Sequence, residues 1–228
     1  MSMPFYVAPE QVMKDRADYA RKGIARGRSL VALSFDDGIL LCADNPSRTL
    51  HKIAEIYDRI AFAGVGKFSE FDSLRTAGVR AADMRGYAYS REDVDARFLA
   101  NAYAQLLGNV FTHEMKPMEV EILVAEVGHQ AAGDQFFRIS YDGTVVDEVG
   151  STVLGGDADT IRERLGEAYR PELDLAAALG AAVTSLAGPE RTLSAGDLEV
   201  AVLAREDGRR AFRRLDEDAL TPLLAAKA

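Results

Sequence analysis

Hydrophobic residues near the N-terminus recur at helical spacing, with charged residues between them. The positions that carry this pattern are Val12, Met13, Ala17, Ala20 and Ile24. The spacing predicts an amphipathic helix over 9–22, because apolar side chains three or four positions apart share one helix face. Pro9 suits the first turn of this helix, and Gly23 or Gly27 would end it.

The apolar pattern then changes to nearly continuous runs, which are typical of strands covered on both faces. SLVALSF (29–35) and ILLCAD (39–44) are separated by the dipeptide Asp37-Gly38. Two apolar runs across Asp-Gly predict a β-hairpin. A third strand is predicted at RIAFAGVG (59–66).

Two helical patterns separate this strand block from the next one. They predict helices over about 68–84 and 91–114. The first is expected to begin at Ser69, because Asp72 follows three residues later as in a capping box. The second has an apolar face formed by Leu99, Ala102, Tyr103, Leu106, Leu107 and Val110.

The second half of the chain repeats the alternation of strand blocks and paired helices. It predicts a strand, a hairpin, two helices, a second hairpin and a final helix, over about 120–127, 136–150, 157–168, 172–187, 198–215 and 216–226. Such blocks indicate mostly antiparallel sheets, and two stacked sheets with helices outside each would cover the apolar faces. We therefore expect one domain over 9–228, preceded by an apolar tail over 1–8.

The composition narrows the possible partners. The 228 residues are 48% apolar and 28% charged, and 36 acidic against 27 basic residues give a net charge of −9. This charge argues against nucleic acid and anionic membranes as partners, because it repels phosphates. The single Cys42 excludes an internal disulfide and a cysteine zinc site, and its apolar strand predicts a buried thiol. No membrane span or secretory signal is recognised, so a cytoplasmic protein is expected.

Few residues are candidates for chemistry. His51, His113 and His129 are far apart and in no ligand spacing, and motifs for a nucleophilic serine or a phosphate-binding loop are absent. No cofactor or metal is therefore predicted. Asp44, at the end of a strand, and Lys52, before the next apolar run, remain. They are either solvated charges or an acid and a lysine that together tune a nucleophile.

The layout SLVALSFDDGILLCAD, followed by Lys52-Ile53, resembles the proteasome family. This resemblance implies an α+β fold, a four-layer αββα sandwich of the N-terminal-nucleophile hydrolase type. In proteasomal β subunits, an acid and a lysine at the positions of Asp44 and Lys52 activate an N-terminal threonine. Here Arg28 is no nucleophile, and Ser29 is internal, so the free α-amino group that acts as the base is missing.

The segment PEQVMKDRADYARKGIARGRSL is similar to the extra helix that proteasomal α subunits carry before their first strand. RTLHKIAEIYDRIAFAGVGKFSEFD and RGYAY are similar to actinobacterial α subunits in particular. The resemblance implies a non-catalytic subunit of a homoheptameric ring that stacks on β subunits and admits unfolded protein substrates. The alternative is an N-terminal-nucleophile hydrolase activated by processing before Ser29.

The resemblance also implies a docking pocket between neighbouring subunits. Lys52 would bind the C-terminal carboxylate of a ring-shaped activator ATPase, because an ammonium suits an isolated carboxylate. Gly66 would form the pocket wall, where backbone must approach the incoming tail closely. Lys67 would add positive charge.

Two further sites control the pore in this interpretation. The gate comprises Met1, Ser2, Met3, Pro4, Phe5, Tyr6, Val7, Ala8, Pro9 and Tyr19. The pore annulus loop comprises His113, Glu114, Met115 and Lys116. We also expect the apolar face of the helix over 9–22 to pack on a neighbouring subunit, because a closed sandwich has no obvious place for it.

Overall fold

A computed structural model describes residues 8–170, 172–206 and 208–225. Six α-helices lie within these residues: α1 Pro9–Ala25, α2 Phe68–Ala88, α3 Ala96–His113, α4 Ala158–Ala168, α5 Leu175–Ala187 and α6 Glu217–Ala225. The strands are β1 Leu30–Phe35, β2 Gly38–Asp44, β3 Ile53–Tyr57, β4 Ile60–Gly66, β5 Val120–Glu126, β6 Gln135–Ile139, β7 Val145–Glu148, β8 Ser151–Leu154, β9 Leu198–Ala204 and β10 Phe212–Leu215.

The strands form two five-stranded antiparallel sheets. Sheet A has the order β10-β9-β2-β1-β8, and sheet B has the order β3-β4-β5-β6-β7. Helices α4, α5 and α6 pack on the outer face of sheet A, and α2 and α3 pack on the outer face of sheet B. The four-layer αββα sandwich predicted from the sequence is therefore confirmed.

Strand β1 shows why the apolar runs are continuous. Leu30 and Ala32 belong to the core between the sheets, whereas Val31 and Leu33 belong to the core under the helices. Successive side chains of a strand point to opposite faces, so a strand covered on both faces needs apolar residues at every position. Each large apolar side chain buried in this way contributes about 1.5–3 kcal/mol.

Several element boundaries differ from the prediction. Strand β3 was not predicted, because Glu55 interrupts its apolar pattern and its turn into β4 has neither glycine nor proline. Strand β8 lies between the predicted hairpin over 136–150 and the predicted helix over 157–168, and it pairs with β1. The prediction of a capping box between Ser69 and Asp72 is wrong, because α2 begins at Phe68 and Asp72 binds Arg75 instead.

The start of α3 also differs from the prediction. Its predicted range over 91–114 is interrupted at 94–95, between a short 3-10 turn and the helix proper. The carboxylate of Asp95 caps α3 by accepting a hydrogen bond from the backbone N–H of Phe98 at 2.6 Å. This side-chain acceptor satisfies a backbone donor that has no partner within the helix, so the helix starts at Ala96.

Helix α1 covers one end of the sandwich. Ala20 and Ile24 are buried in the core between the two sheets, which corrects the expectation that this apolar face has no place in the sandwich. Val12 is half-buried and Met13 is 36% exposed, so only the first half of the face is left at the surface.

Cys42 is fully buried, and burial raises the pKa of its thiol to about 12.

No helix in the described part of the chain combines the length and apolar character that a bilayer span requires.

Candidate functional site

The end of the sandwich under α1 brings together several of the predicted site residues. Lys52 precedes β3 and contacts the backbone of Arg28, in the segment between α1 and β1. Gly66 ends β4 and lies against Gly27 of the same segment. Lys116 lies just before β5, with its ammonium 5.4 Å from the ring centroid of Tyr19 in α1. Residues far apart in sequence therefore share one surface.

Lys52 is bound to backbone carbonyls. Its Nζ donates to the Arg28 carbonyl at 2.5 Å and to the Asp44 carbonyl at 3.4 Å. Burial lowers the pKa of Lys52 to about 8, although the charges of Asp44 and Glu199 act in the opposite direction. An ammonium has three N–H donors, so these two carbonyls leave one donor for a further acceptor.

The carboxylate of Asp44 is held by two arginines. It is 5% exposed, and it accepts from Arg28 Nη1 and from Arg191 Nη2, each at 2.7 Å. Arg28 thus binds the predicted acid through its side chain and the predicted lysine through its main chain. The acid and the lysine lie side by side, but their charged groups have separate partners.

Ser29 lies at the position before β1 where a nucleophile would be expected. The residue is buried, and its carbonyl accepts from the backbone N–H of Asp44 at 3.1 Å. Its side chain fills the space beside Gly155, where a Cβ would approach Ser29 Oγ to 2.7 Å. Its nitrogen is part of the peptide bond to Arg28, so it carries no free amine.

Glu199 holds the loop that carries Lys52. This buried carboxylate accepts from the backbone N–H groups of Lys52 at 2.7 Å and Ile53 at 3.2 Å, and from Asn45 Nδ2 at 2.8 Å. Arg214 forms a charged contact with the same carboxylate. A buried carboxylate with this many donors is fully compensated, so it fixes the loop between β2 and β3.

Gly66 is required by its own chain. Its φ is +109°, and a Cβ there would overlap the carbonyl oxygen of Glu119, just before the paired strand β5. Few residues other than glycine adopt this conformation. The expected reason for this glycine was the approach of an incoming tail, and the structure gives a different one. The side chain of Lys67 lies 3.4 Å from Glu70.

The pore loop has an exposed tip and a bound base. His113, Glu114 and Met115 are exposed, Met115 to 98%. Lys116, in contrast, turns back to Glu70 at 2.7 Å and Glu119 at 2.9 Å. The side chain of Lys116 is also 41% exposed, but its ammonium already has two carboxylate partners within the subunit.

The gate residues are only partly described. Met1 to Val7 lie outside the described residues. The Ala8 carbonyl accepts from the backbone N–H of Gln11 at 2.9 Å, and Pro9 begins α1. Tyr19 is 47% exposed.

Sequence reasoning missed the charged partners of these sites. Arg191 reaches Asp44 across 147 positions of sequence, and Glu199 reaches Lys52 across the same separation. No local pattern marks such pairs. Glu70 alone carried a signal, because an acid in the first turn of α2 suits the helix dipole. Among the described residues, no group of three His, Cys, Asp or Glu side chains is arranged to hold a metal ion.

Comparison with known proteins gave one family and many relatives. The family model described as "Proteasome subunit" matches residues 24–203. A "Proteasome subunit alpha" of Xylanimonas cellulosilytica is 61% identical over 232 residues, covering 97% of this chain and 95% of the relative. One of Acidimicrobium ferrooxidans is 62% identical over 218 residues, covering 96% and 94%. One of Thermomonospora curvata is 58% identical over 230 residues, covering 100% of both.

Proposed function

The chain belongs to the proteasome subunit family, and on that premise we propose that it is a non-catalytic α subunit of a proteasome core particle. In this role it forms the outer homoheptameric ring and stacks on a ring of β subunits, which carry the catalytic threonines. It controls the entry of unfolded protein substrates into the peptidase chamber, and it does so in the cytoplasm. Relatives named "Proteasome subunit alpha" that match nearly the whole chain support this proposal.

One observation carries the non-catalytic part of the proposal. Arg28 binds both residues of the acid and lysine pair. Its guanidinium donates to the carboxylate of Asp44, and its backbone carbonyl accepts from the ammonium of Lys52. In an N-terminal-nucleophile enzyme these groups serve a free terminal amine and its hydroxyl. Here they stabilise the continuous backbone that leads from α1 into β1.

The docking pocket in this proposal is built around Lys52, with Gly66 and Lys67 on its wall. The third ammonium donor of Lys52 binds the C-terminal carboxylate of an activator ATPase. A partly buried ammonium is suited to this task, because a charge-assisted hydrogen bond is stronger away from bulk water. The Gly27–Arg28 segment links Lys52 to Gly66, which supports their use as one site.

The gate in this proposal is formed by residues 1–8 together with Pro9 and Tyr19, and the annulus by His113, Glu114, Met115 and Lys116. The exposed tip of the loop over 113–115 supports a role at a pore, because exposed loop residues on a rigid scaffold are typical of contact sites. Lys116 anchors this loop to the body of the subunit.

The alternative function is a hydrolase activated by cleavage before Ser29, and the structure disfavours it. Cleavage there would remove α1, which buries Ala20 and Ile24 in the core between the sheets. It would also remove Arg28, which binds Asp44 and Lys52. The loss of the buried Ile24 side chain alone costs about 1.5–3 kcal/mol.

Native mass spectrometry of the chain with and without a co-expressed proteasome β subunit tests the proposed function. We expect a particle that contains both subunits and hydrolyses peptides, and no hydrolysis by this chain alone. Peptide hydrolysis by the chain without β subunits would contradict the proposal, and so would its failure to assemble with them.

A further inference from the structure

Glu119 lies where three parts of the molecule meet. It directly precedes β5, and its side chain is 14% exposed. Its backbone carbonyl accepts from the N–H of Lys67 at 2.9 Å, and the same carbonyl fills the space that a Cβ of Gly66 would need. The backbone of Glu119 is therefore in direct contact with the wall of the proposed docking pocket.

The side chain of Glu119 holds the base of the pore loop. Its Oε1 lies 2.9 Å from Lys116 Nζ, and this ammonium also binds Glu70 at 2.7 Å. Glu70 completes the connection, because its second oxygen accepts from the backbone N–H of Glu119 at 2.6 Å. Two carboxylates and one ammonium thus join α2, the pore loop and the start of β5.

The same side chain also contacts α1. A Cβ at Gly23 would come within 2.6 Å of the Cβ and Cγ of Glu119, so the helix approaches this glutamate as closely as glycine allows. The Lys116 ammonium, and to a smaller degree Tyr19, hold the pKa of Glu119 below its usual range. Glu119 therefore remains charged at neutral pH while it is packed against α1.

We propose that Glu119 is a positioning residue that joins the pocket wall at Gly66–Lys67, the pore loop at Lys116 and helix α1 into one mechanical unit. The terms pocket and pore rest on the proposed function, but the three contacts do not.

Amide hydrogen exchange in the full chain tests this inference without an activator or a β subunit. Glu119→Ala removes both the carboxylate that binds Lys116 and the Cγ that packs against Gly23. We expect exchange at Lys67, at Glu114 and over 23–26 to accelerate together, by about tenfold, because the loop and α1 each lose a side-chain contact and the backbone carbonyl that binds Lys67 loses the support of its own side chain. The matched control is Glu163→Ala, on the exposed side of α4, which should leave these amides unchanged.

Two further variants test whether Glu119 holds the three elements independently or whether releasing one element also releases the others. Lys116→Met should accelerate exchange only in the pore loop, because Glu119 keeps its contacts with α1. Tyr19→Phe should accelerate exchange only in α1, because it removes the hydroxyl that reaches Glu119 but keeps the ring beside Lys116. These variants decide the question even if Glu119→Ala fails to fold. The inference is overturned if Glu119→Ala affects the loop alone, or if either single-contact variant releases all three elements.

A failure of this test differs from a failure of the proposed function. If the chain shows the expected exchange pattern but does not assemble with β subunits, the junction at Glu119 is supported and the proposed proteasome role is contradicted. If the particle assembles but exchange changes only in the loop, the proposed role is supported and the junction is contradicted.

Discussion

Lys52 and Lys116 lie at the same end of the sandwich in opposite surroundings. Lys52 Nζ binds two backbone carbonyls, and the adjacent carboxylate of Asp44 is bound by arginines. Lys116 Nζ lies between two carboxylates, those of Glu70 and Glu119. Carbonyl groups orient an ammonium without neutralising it, whereas two carboxylates compensate its charge fully.

This difference separates a lysine that is suited to ligand binding from one that is suited to support. Lys52 has no carboxylate bound directly to its ammonium, and burial lowers its pKa to about 8 although Asp44 and Glu199 act in the opposite direction. Lys116 is not suited to bind a carboxylate ligand, because its ammonium already binds two carboxylates of its own chain. The comparison therefore supports the proposal that Lys52 binds a carboxylate ligand, whereas Lys116 anchors its loop.

The largest effect is expected from Lys52→Met. We expect this variant to lose about ten- to a hundred-fold in activator affinity per site, because a charge-assisted contact contributes about 1.5–3 kcal/mol. The effect grows when several tails bind at once. The measurement is activator-stimulated protein degradation by assembled particles, beside their unstimulated hydrolysis of a small peptide.

Lys116→Met is the matched comparison, because it removes the same charge from the same end of the molecule. We expect its activator affinity to stay within about twofold of wild type, since its ammonium serves only contacts within the subunit. Equal losses of activator affinity in the two variants would contradict the distinction between the two lysines. Normal activator-stimulated degradation by Lys52→Met particles would exclude Lys52 from docking.

A smaller effect is expected from pH. The pKa of Lys52 is lowered from 10.5 to about 8 in the folded chain. Its ammonium is therefore lost as pH rises through about 8, and activator affinity should fall by about tenfold between about pH 7 and about pH 9. The free energy of unfolding changes in the opposite direction. Between these two pKa values the unfolded chain binds more protons than the folded chain, so the contribution of this lysine to the free energy of unfolding rises with pH.

Lys52→Arg is the control for the pH effect. An arginine stays charged throughout this range, so its affinity, although lower at neutral pH because of its different shape, should not change with pH. A pH dependence shared by both variants would locate the titrating group elsewhere.

Much of the fold was predictable because its signals are local. The hairpin of β1 and β2 is confirmed, with Gly38 at φ +153° directly after the turn. The strand β3 was missed because its pairing with β4 depends on tertiary burial rather than on an alternating pattern. Local spacing also could not show that Ala20 is buried by its own chain.

The site was predictable only in part. Asp44 and Lys52 were identified by their positions at strand ends, whereas their actual partners were not. Arg191 and Glu199 come from distant segments, and attraction between distant charges leaves no trace in the spacing of residues. The contacts of Glu119 could not be predicted for the same reason, because they join three elements that meet only in the folded chain.

The most direct test of the central claim is the intact mass of this chain in an active particle, together with the activity of Ser29→Ala. A non-catalytic subunit predicts that the segment before Ser29 is retained and that Ser29→Ala particles hydrolyse peptides at the wild-type rate. A chain that begins at Ser29, with hydrolysis reduced to background by Ser29→Ala, would contradict the account and identify Ser29 as a nucleophile.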